Sequence, residues 1–309
     1  MSQNLPSSRN LASPRTTLRR IALLAVIASL STLAPAQTEL MPPETSIVPP
    51  MNGIAHIAIR VKDIAASVAF YHKLGFDQAF ANMAKDGTTV TQSFVKLNDR
   101  QFIELYPVTD RDNKVEFLHL CFEGVDLNAI HDRYVAEGLT PISVRTAGAG
   151  NLLFTMQGPM QFSTTQNIEY TQYMPGSKHT VDFGQHLGPD RVGDKMTVVV
   201  LAMQAPAAAR TFYLDKMGFT PSRKDPSRLD LPGTSGEQVQ IVPAADLGFK
   251  SSIILETASL DKAAAQLTRQ QVAFTRAGMD FTDASGKKVH TEMLSVTDPD
   301  GNIIRIQLK

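Results

Sequence analysis

The chain has 309 residues, of which 30 are basic and 30 are acidic, so its formal net charge is zero. This balance excludes a strongly basic protein of the kind that recruits nucleic acid or an anionic membrane. Its single cysteine, Cys121, excludes an internal disulfide framework and a cysteine-rich zinc site. A hydrophobic content of 43% with 19% charged residues is typical of a soluble globular protein.

The N-terminal residues 1–36 are predicted to be a signal peptide. Basic residues precede the apolar run IALLAVIASLSTLA at 21–34, and the small-x-small pattern APA then predicts Gln37 as the first mature residue. The alternative is a membrane anchor, but the run is shorter than the roughly 20 apolar residues that a span needs. We therefore expect an exported protein, periplasmic or secreted, with no stable membrane insertion after cleavage. An arginine pair ahead of the run leaves the general and the twin-arginine export routes both open. A proline-rich linker, residues 37–51, follows.

The first structural unit begins in the stretch GIAHIAIRVKDIAASVAFYHKLGF, residues 53–76. Ile57, Ile59 and Val61 alternate along one face of a strand, as a half-buried strand requires. Asp63 can cap the helix that follows. The stretch therefore predicts a strand, a turn and an amphipathic helix.

The rest of the chain repeats this plan. The helix end SVAFYHKLGF at 67–76 recurs as ARTFYLDKMGF at 209–219, and further strand–helix patterns begin at 116 and 251. Short strand-like runs with turn signals follow each helix. The sequence therefore predicts an α+β fold of four βαβββ modules.

Glycine, proline and charged residues mark a linker at 175–193. It separates the modules into two pairs, which we expect to form two domains at 52–174 and 194–309.

Each of the first two modules has one histidine on its first strand and one glutamate on its last. His56 and Glu104 are 48 residues apart in the first module, and His119 and Glu169 are 50 apart in the second. If the first and last strands of each module lie side by side and two such sheets face each other, the four side chains converge. A satisfied core histidine is the commoner explanation for one such residue, but it does not explain four matched positions.

Two imidazole nitrogens and two carboxylate oxygens suit one borderline divalent ion, either zinc, nickel, manganese or ferrous iron. The spacing therefore predicts a metal site formed by His56, Glu104, His119 and Glu169. The four other side chains on those faces either line the cleft or pack there: Arg60, Tyr106, Cys121 and Tyr173. The remaining histidines are expected on the surface: His72, His131, His179, His186 and His290.

From Gly53 to Lys309 the chain resembles the vicinal oxygen chelate superfamily, which includes glyoxalase I, methylmalonyl-CoA epimerase, bleomycin-binding proteins and extradiol dioxygenases. The matching stretches are IAHIAIRVKDIAASVAFYHKLGF, QFIELYP, LHLCFEGVDLNAIHDRYVAEGLTP and NIEYTQY. The resemblance implies paired modules around a metal cleft. It also implies that the four predicted ligands match those of the glyoxalase and epimerase branch.

The second pair of modules keeps the plan of the fold and is expected to lack the metal. Three of the positions that correspond to the predicted ligands lie near Val198, Gln240 and Ser252. The fourth is occupied by Arg305. An arginine cannot bind a cation, since its guanidinium has no acceptor. Residues 194–309 are therefore interpreted as a degenerate, metal-free domain with a structural role, or as a cover for the first cleft or a binder of another small molecule.

This asymmetry favours a lyase or isomerase of glyoxalase type that acts on a small oxygen-bearing substrate. A metal would polarise a substrate oxygen while Glu169 or Glu104 moves a proton on the adjacent carbon. An extradiol-type dioxygenase is an alternative, although in that family the iron lies in the C-terminal pair. A non-catalytic binding protein, of the bleomycin-resistance type, is a further one.

Overall fold

The computed structural model describes residues 48–49, 51–160, 165–188, 190–248 and 250–309. The predicted signal peptide and nearly all of the proline-rich linker lie outside these residues. Within the described residues, no helix combines the length and the apolar character that crossing a membrane requires.

The first two modules follow the predicted order of one strand, one helix and three strands. Those of the first module are β1 Met51–Val61, α1 Ile64–Lys73, β2 Gln78–Met83, β3 Val90–Lys96 and β4 Phe102–Pro107. Those of the second are β5 Glu116–Gly124, α2 Leu127–Ala136, β6 Arg145–Thr146, β7 Leu152–Met160 and β8 Thr165–Gln172.

The two modules join edge to edge into one eight-stranded sheet with the order β2-β3-β4-β1-β5-β8-β7-β6. Within each module the first and last strands lie side by side, as predicted, and the structure shows that they run parallel. The expectation of two separate sheets facing each other was wrong, because β1 and β5 pair directly as antiparallel neighbours. The free edge of each first strand is thereby satisfied by the other module.

The second pair of modules repeats this arrangement, after a short helix α3 Lys178–Val181. The third module contains β9 Lys195–Met203, α4 Pro206–Asp215, β10 Thr220–Pro221, β11 Arg228–Asp230 and β12 Gln238–Pro243, and is followed by the short helix α5 Ala244–Leu247. The fourth contains β13 Ser252–Thr257, α6 Leu260–Arg269, β14 Phe274–Thr282, β15 Lys288–Thr297 and β16 Ile303–Leu308. Their sheet has the order β10-β11-β12-β9-β13-β16-β15-β14. The predicted α+β fold of four βαβββ modules in two pairs is confirmed.

Side-chain caps fix where the first two long helices begin. The backbone N–H of Ala66 donates to Asp63 Oδ1 at 3.1 Å, and that of Ala129 donates to Asp126 Oδ1 at 3.1 Å. Such caps typically stabilise a helix by about 1 kcal/mol. Tyr71 on α1 is fully buried, so the apolar stripe of the helix faces the core.

One face of each central strand supplies the core, and the opposite face is left for the site. Ile57, Ile59 and Val61 are buried in a hydrophobic cluster that includes residues of both sheets. His56 lies on the opposite face of the same strand, as the two-residue alternation of a strand requires.

A buried polar cluster connects the two sheets beside β1. The Gln101 amide donates to the carbonyl of Met196 at 2.9 Å and to Glu237 Oε1 at 3.2 Å, and Glu237 also accepts the backbone N–H of Ile54. Gly53 has a φ of 140°, and a Cβ there would lie 2.3 Å from Glu237 Oε2. Only glycine therefore permits this close approach.

Burial raises the pKa of Glu237 to about 7, although the Ile54 N–H and Lys195 partly counteract it. A carboxyl whose pKa is higher in the folded protein stabilises the fold while it is protonated. Its contribution is complete below its ordinary value of 4.5 and is lost as the pH rises to about 7. The difference corresponds to about 3 kcal/mol.

We therefore expect Glu237→Gln to gain stability relative to the wild type as the pH rises from 4.5 to about 7, by up to about 3 kcal/mol. Urea unfolding of both proteins across this range measures the difference in free energy of unfolding. Glu292→Gln, the same substitution at a carboxylate that is 48% exposed, is the control. A constant difference between Glu237→Gln and wild type would show that Glu237 does not titrate with folding.

Candidate metal centre

The register of four neighbouring strands brings the predicted ligands together. On β1, His56 lies across from Cys121 of β5, and Cys121 lies across from Glu169 of β8. Two residues further on, Ala58 lies between Glu104 of β4 and His119 of β5. The four side chains therefore occupy the same face of the sheet at its centre.

Their polar atoms converge on one point. His56 Nε2 lies 3.2 Å from Glu104 Oε2, 3.4 Å from Glu169 Oε1 and 3.1 Å from His119 Nε2. His119 Nε2 lies 3.3 Å from Glu104 Oε2 and 3.9 Å from Glu169 Oε1. The four side chains are only 5% to 12% exposed. The structure thus brings all four predicted residues into one buried cluster.

The spacing of the polar atoms of His56, Glu104 and His119 fits a shared cation, since these atoms all lie within 4.8 Å of one another, and Glu169 belongs to a second such set with His56 and Cys121. Donor atoms about 2.1 Å from a common centre lie about 3.0 Å apart at right angles and about 3.4 Å apart in a tetrahedron. The five distances between the polar atoms of the cluster run from 3.1 to 3.9 Å. Two Nε2 atoms 3.1 Å apart cannot both carry a proton, since the protons would point at each other. One ring can donate a hydrogen bond to the other, and a metal ion bound by both nitrogens would replace that hydrogen bond.

The pKa shifts within the cluster indicate that both glutamates are negatively charged. Burial would raise the pKa of Glu104, but the imidazoles of His56 and His119 outweigh it and hold that pKa below its ordinary range. The pKa of Glu169 is also lowered, since His119 and His56 outweigh burial and the repulsion of Glu104. Burial opposes protonation of His56, yet Cys121 and Glu104 raise its pKa well above the ordinary value. Two ionised carboxylates at one buried point attract a positive charge.

The two glutamates are held differently. Glu104 Oε1 accepts hydrogen bonds from Gln92 Nε2 at 3.0 Å and from the Tyr106 hydroxyl at 3.2 Å. Among the residues that the structure describes, only the two imidazoles lie within ion-pair distance of Glu169. Glu104 is therefore held by two further donors, whereas the described residues supply none to Glu169 beyond the imidazoles.

A cavity of about 160 Å³ opens in front of the cluster. It is smaller than the pockets of about 300–1,000 Å³ that hold drug-sized ligands. Polar side chains from several strands and loops line it together with the cluster: Asn82, Gln92, Arg145 and Asn151. The site therefore has room for a small molecule and groups that can orient its oxygens.

His179 also lines this cavity, so its prediction as a surface residue was wrong. Ser177 caps the short helix α3, and this turn places His179 against the first sheet, where it is 2% exposed. Its ring stacks on Tyr173 at 4.5 Å and meets Phe102 edge-on at 5.0 Å. The Ser177 cap was the one available sequence signal, and it does not reveal the tertiary contact.

Burial lowers the pKa of His179 to about 3, so the imidazole is neutral at neutral pH. Neither ring nitrogen has a hydrogen-bond partner among the described residues. A neutral imidazole can both donate and accept a hydrogen bond. His179 is therefore a buried, neutral imidazole in the cavity wall whose hydrogen-bonding capacity is unused among the described residues.

The other residues on these faces have separate partners. Arg60 pairs with Glu116, and the Tyr173 hydroxyl donates to the Arg100 carbonyl at 3.0 Å. Cys121 is fully buried beside His56, and burial raises the pKa of its thiol. The side chains of His72, His186 and His290 are exposed, as predicted, whereas that of His131 is 18% exposed.

The second sheet repeats the register without the ligands. Ile254 of β13 lies across from both Val198 of β9 and Arg305 of β16, as Cys121 lies across from His56 and Glu169. Val200 likewise lies between Gln240 and Ser252. Among the described residues, the clusters of potential metal ligands contain only side chains of the first sheet.

Part of the chain matches a known protein family in sequence. A family model described as the Glyoxalase/Bleomycin resistance protein/Dioxygenase superfamily matches residues 53–166. No curated protein matches the chain.

Solved structures share the fold over most of the chain. The Mn(II)-bound glyoxalase from Novosphingobium aromaticivorans is 15% identical, with a TM-score of 0.61 over 84% of this chain and 82% of that one. The 2,3-dioxygenase LapB from Pseudomonas sp. KL28 is 12% identical, with a TM-score of 0.55 over 85% and 93%. Homoprotocatechuate 2,3-dioxygenase from Brevibacterium fuscum is 13% identical, with a TM-score of 0.58 over 87% and 74%.

At these identities the solved structures establish the shared fold, and the family model supplies the match in sequence. Residues 53–166 therefore match the Glyoxalase/Bleomycin resistance protein/Dioxygenase superfamily in sequence, and the two sheets of paired βαβββ modules share their fold with these solved structures.

Proposed function

We propose that this protein is an exported, metal-dependent enzyme of glyoxalase or epimerase type that moves a proton on a small oxygen-bearing substrate. The observation that carries the proposal is the unequal anchoring of two carboxylates at one buried centre. Glu104 is held by Gln92 and Tyr106, whereas Glu169 has no such donors among the described residues.

The ion would be held by two nitrogen and two oxygen donors, from His56, His119, Glu104 and Glu169. This donor set suits zinc, nickel, manganese or ferrous iron. When bound, such an ion acts as a Lewis acid that makes the carbon next to a polarised oxygen more acidic.

Glu169 is the proposed general base. Its carboxylate takes the proton from the carbon beside the substrate oxygen and can return it to the same or a neighbouring atom. Glu104 is the proposed fixed ligand, since two donors hold its second oxygen. His179 contributes a neutral imidazole to the wall of the cavity in front of the cluster. The walls of the small cavity restrict the water around the carbon that changes its proton.

An extradiol-type dioxygenase is the second candidate. His56, His119 and Glu104 also form a set of two histidines and one carboxylate, which is the ligand set of many ferrous oxygenases. Two of the structural neighbours are 2,3-dioxygenases. The additional carboxylate of Glu169 in the cluster favours the proton-transfer reaction. A binding protein without catalysis is the third candidate, and a complete cluster of metal ligands argues against it.

We also propose that the chain is exported after cleavage before Gln37. The basic residues, the apolar run and the APA pattern support this proposal. The expected result is a mature protein outside the cytoplasm whose first residue, by N-terminal sequencing, is Gln37. A full-length chain in the cytoplasmic fraction would contradict export.

Metal analysis tests the cluster directly. We expect about one divalent ion per chain in protein purified without chelators, by plasma emission spectroscopy, because the ligands form a single site. His119→Ala removes a nitrogen ligand and should lower the occupancy, with activity falling in proportion. The double variant His56→Ala/His119→Ala should bind no ion, since the second sheet lacks ligands. Stoichiometric metal in the double variant would place an ion elsewhere.

Glutamine at the two glutamate positions separates the base from the fixed ligand. Glu169→Gln keeps the shape and one oxygen donor but cannot accept a proton at neutral pH. We expect it to retain most of the metal while turnover per bound metal falls by roughly 10²–10⁴-fold, the usual contribution of a general base. Glu104→Gln should instead lose metal, with less change in turnover per metal that remains.

The assay screens 2-oxoaldehyde adducts, epimerisable acids and catechols, each with zinc, nickel, manganese or ferrous protein. Glu116→Gln, on the same sheet but away from the cavity lining, is the matched control. Unchanged turnover per metal in Glu169→Gln would exclude the proton-transfer role. Oxygen consumption with catechols that requires ferrous iron would establish the dioxygenase instead.

A further inference from the structure

The second sheet has its own cavity at the place where the first sheet has the metal cluster. Its volume is about 520 Å³, within the range of small-molecule pockets. Gln240 and Arg305 line it, and by strand register they correspond to Glu104 and Glu169. The degenerate half of the molecule has therefore kept an open cleft.

Arg305 is a partly buried cation without an ion-pair partner in the described parts of the chain. One guanidinium nitrogen donates to Ser252 Oγ at 2.6 Å. Burial lowers the pKa of Arg305, but a guanidinium in a protein remains charged at neutral pH. Its remaining N–H donors are therefore available to an anion.

The other charges on the cavity lining do not neutralise Arg305. Arg228 forms an ion pair with Asp225, with 2.9 Å between Nε and Oδ2. Asp246 is exposed on the short helix α5 and makes no ion pair with Arg305. The lining thus carries two arginines and two aspartates, and among the described residues Arg305 is the arginine of this lining without an ion pair.

The rest of the lining is largely apolar. Val200, Ile254 and Leu247 contribute aliphatic surface, and Met279 and Phe281 contribute the side of β14. Met279 is 45% exposed, which leaves an apolar residue at the solvent boundary of the cavity. A ligand with an apolar body would cover this surface, while its charged end reaches Arg305.

We propose that this second cavity binds a small organic monoanion, with a carboxylate on Arg305 and an apolar chain or ring against Ile254, Met279 and Phe281. The planar fork of a guanidinium matches the two oxygens of a carboxylate. The proposal is independent of the function of the metal cluster.

Calorimetric titration of the full mature chain with benzoate, 4-phenylbutyrate and octanoate tests this site. We expect saturable binding of at least one of them, and binding at least about tenfold weaker for the corresponding neutral amide, because the charge-assisted hydrogen bonds are lost. Arg305→Met should weaken carboxylate binding by a similar factor. The absence of saturable binding by all three acids would overturn the proposal, as would equal affinity for acid and amide.

Two control variants locate the binding. Arg276→Met removes an arginine of the same module that pairs with Asp261 and Glu292 outside the cavity, and it should bind like wild type. His119→Ala should also retain carboxylate binding. If binding depends on His119 and not on Arg305, the carboxylate occupies the metal cluster and the proposal is wrong. If Arg305→Met does not fold, the acid–amide comparison in the wild-type protein still shows whether binding requires the carboxylate charge. Arg305→Lys, which keeps the positive charge, should bind with intermediate affinity.

Discussion

Two ionised carboxylates held at one buried point set the requirements of the whole first sheet. Glu104 and Glu169 lie within 3.4 Å of the same imidazole nitrogen of His56, and neither can be buried without a nearby positive charge. One protonated imidazole offsets only one of the two negative charges, and the Nε2 atoms are too close for both rings to be protonated there. A divalent ion would meet the charge requirement, and the anchoring by Gln92 and Tyr106 distinguishes Glu104 from Glu169.

The pairing of β1 with β5 makes this cluster possible. His56 and His119 come from these two central strands, whereas the glutamates come from the parallel neighbours β4 and β8. Neither module alone holds more than half of the ligands. A shift of one residue in any of these pairings would turn a ligand to the opposite face, into the hydrophobic core. The strand pairings that join the two modules are therefore the same ones that position the four side chains of the site.

The sequence predicted the features that depend on position along a strand. Alternation and matched spacing located His56, Glu104, His119 and Glu169, and they also located Arg305 in the second sheet. Alternation does not specify which strand edges meet, so the direct joining of β1 to β5 was missed. His179 was missed because its burial depends on where the segment after β8 packs, and the role of Gln92 depends on a cross-strand contact with Glu104. Local patterns do not contain this information.

The two sheets share one strand register but present side chains of opposite charge at the corresponding positions. The site of the first sheet gathers two carboxylates and two imidazoles, a set of groups that can bind a cation. At the corresponding positions the second sheet has Val198, Gln240, Ser252 and Arg305, which offer one cation and no ionised acceptor. A glutamate at 305 alone would not recreate a metal site, since the facing positions supply neither imidazole nor a second carboxylate. The second sheet therefore lacks the whole set of potential metal ligands, while the surrounding strands keep a cleft lined by the guanidinium of Arg305.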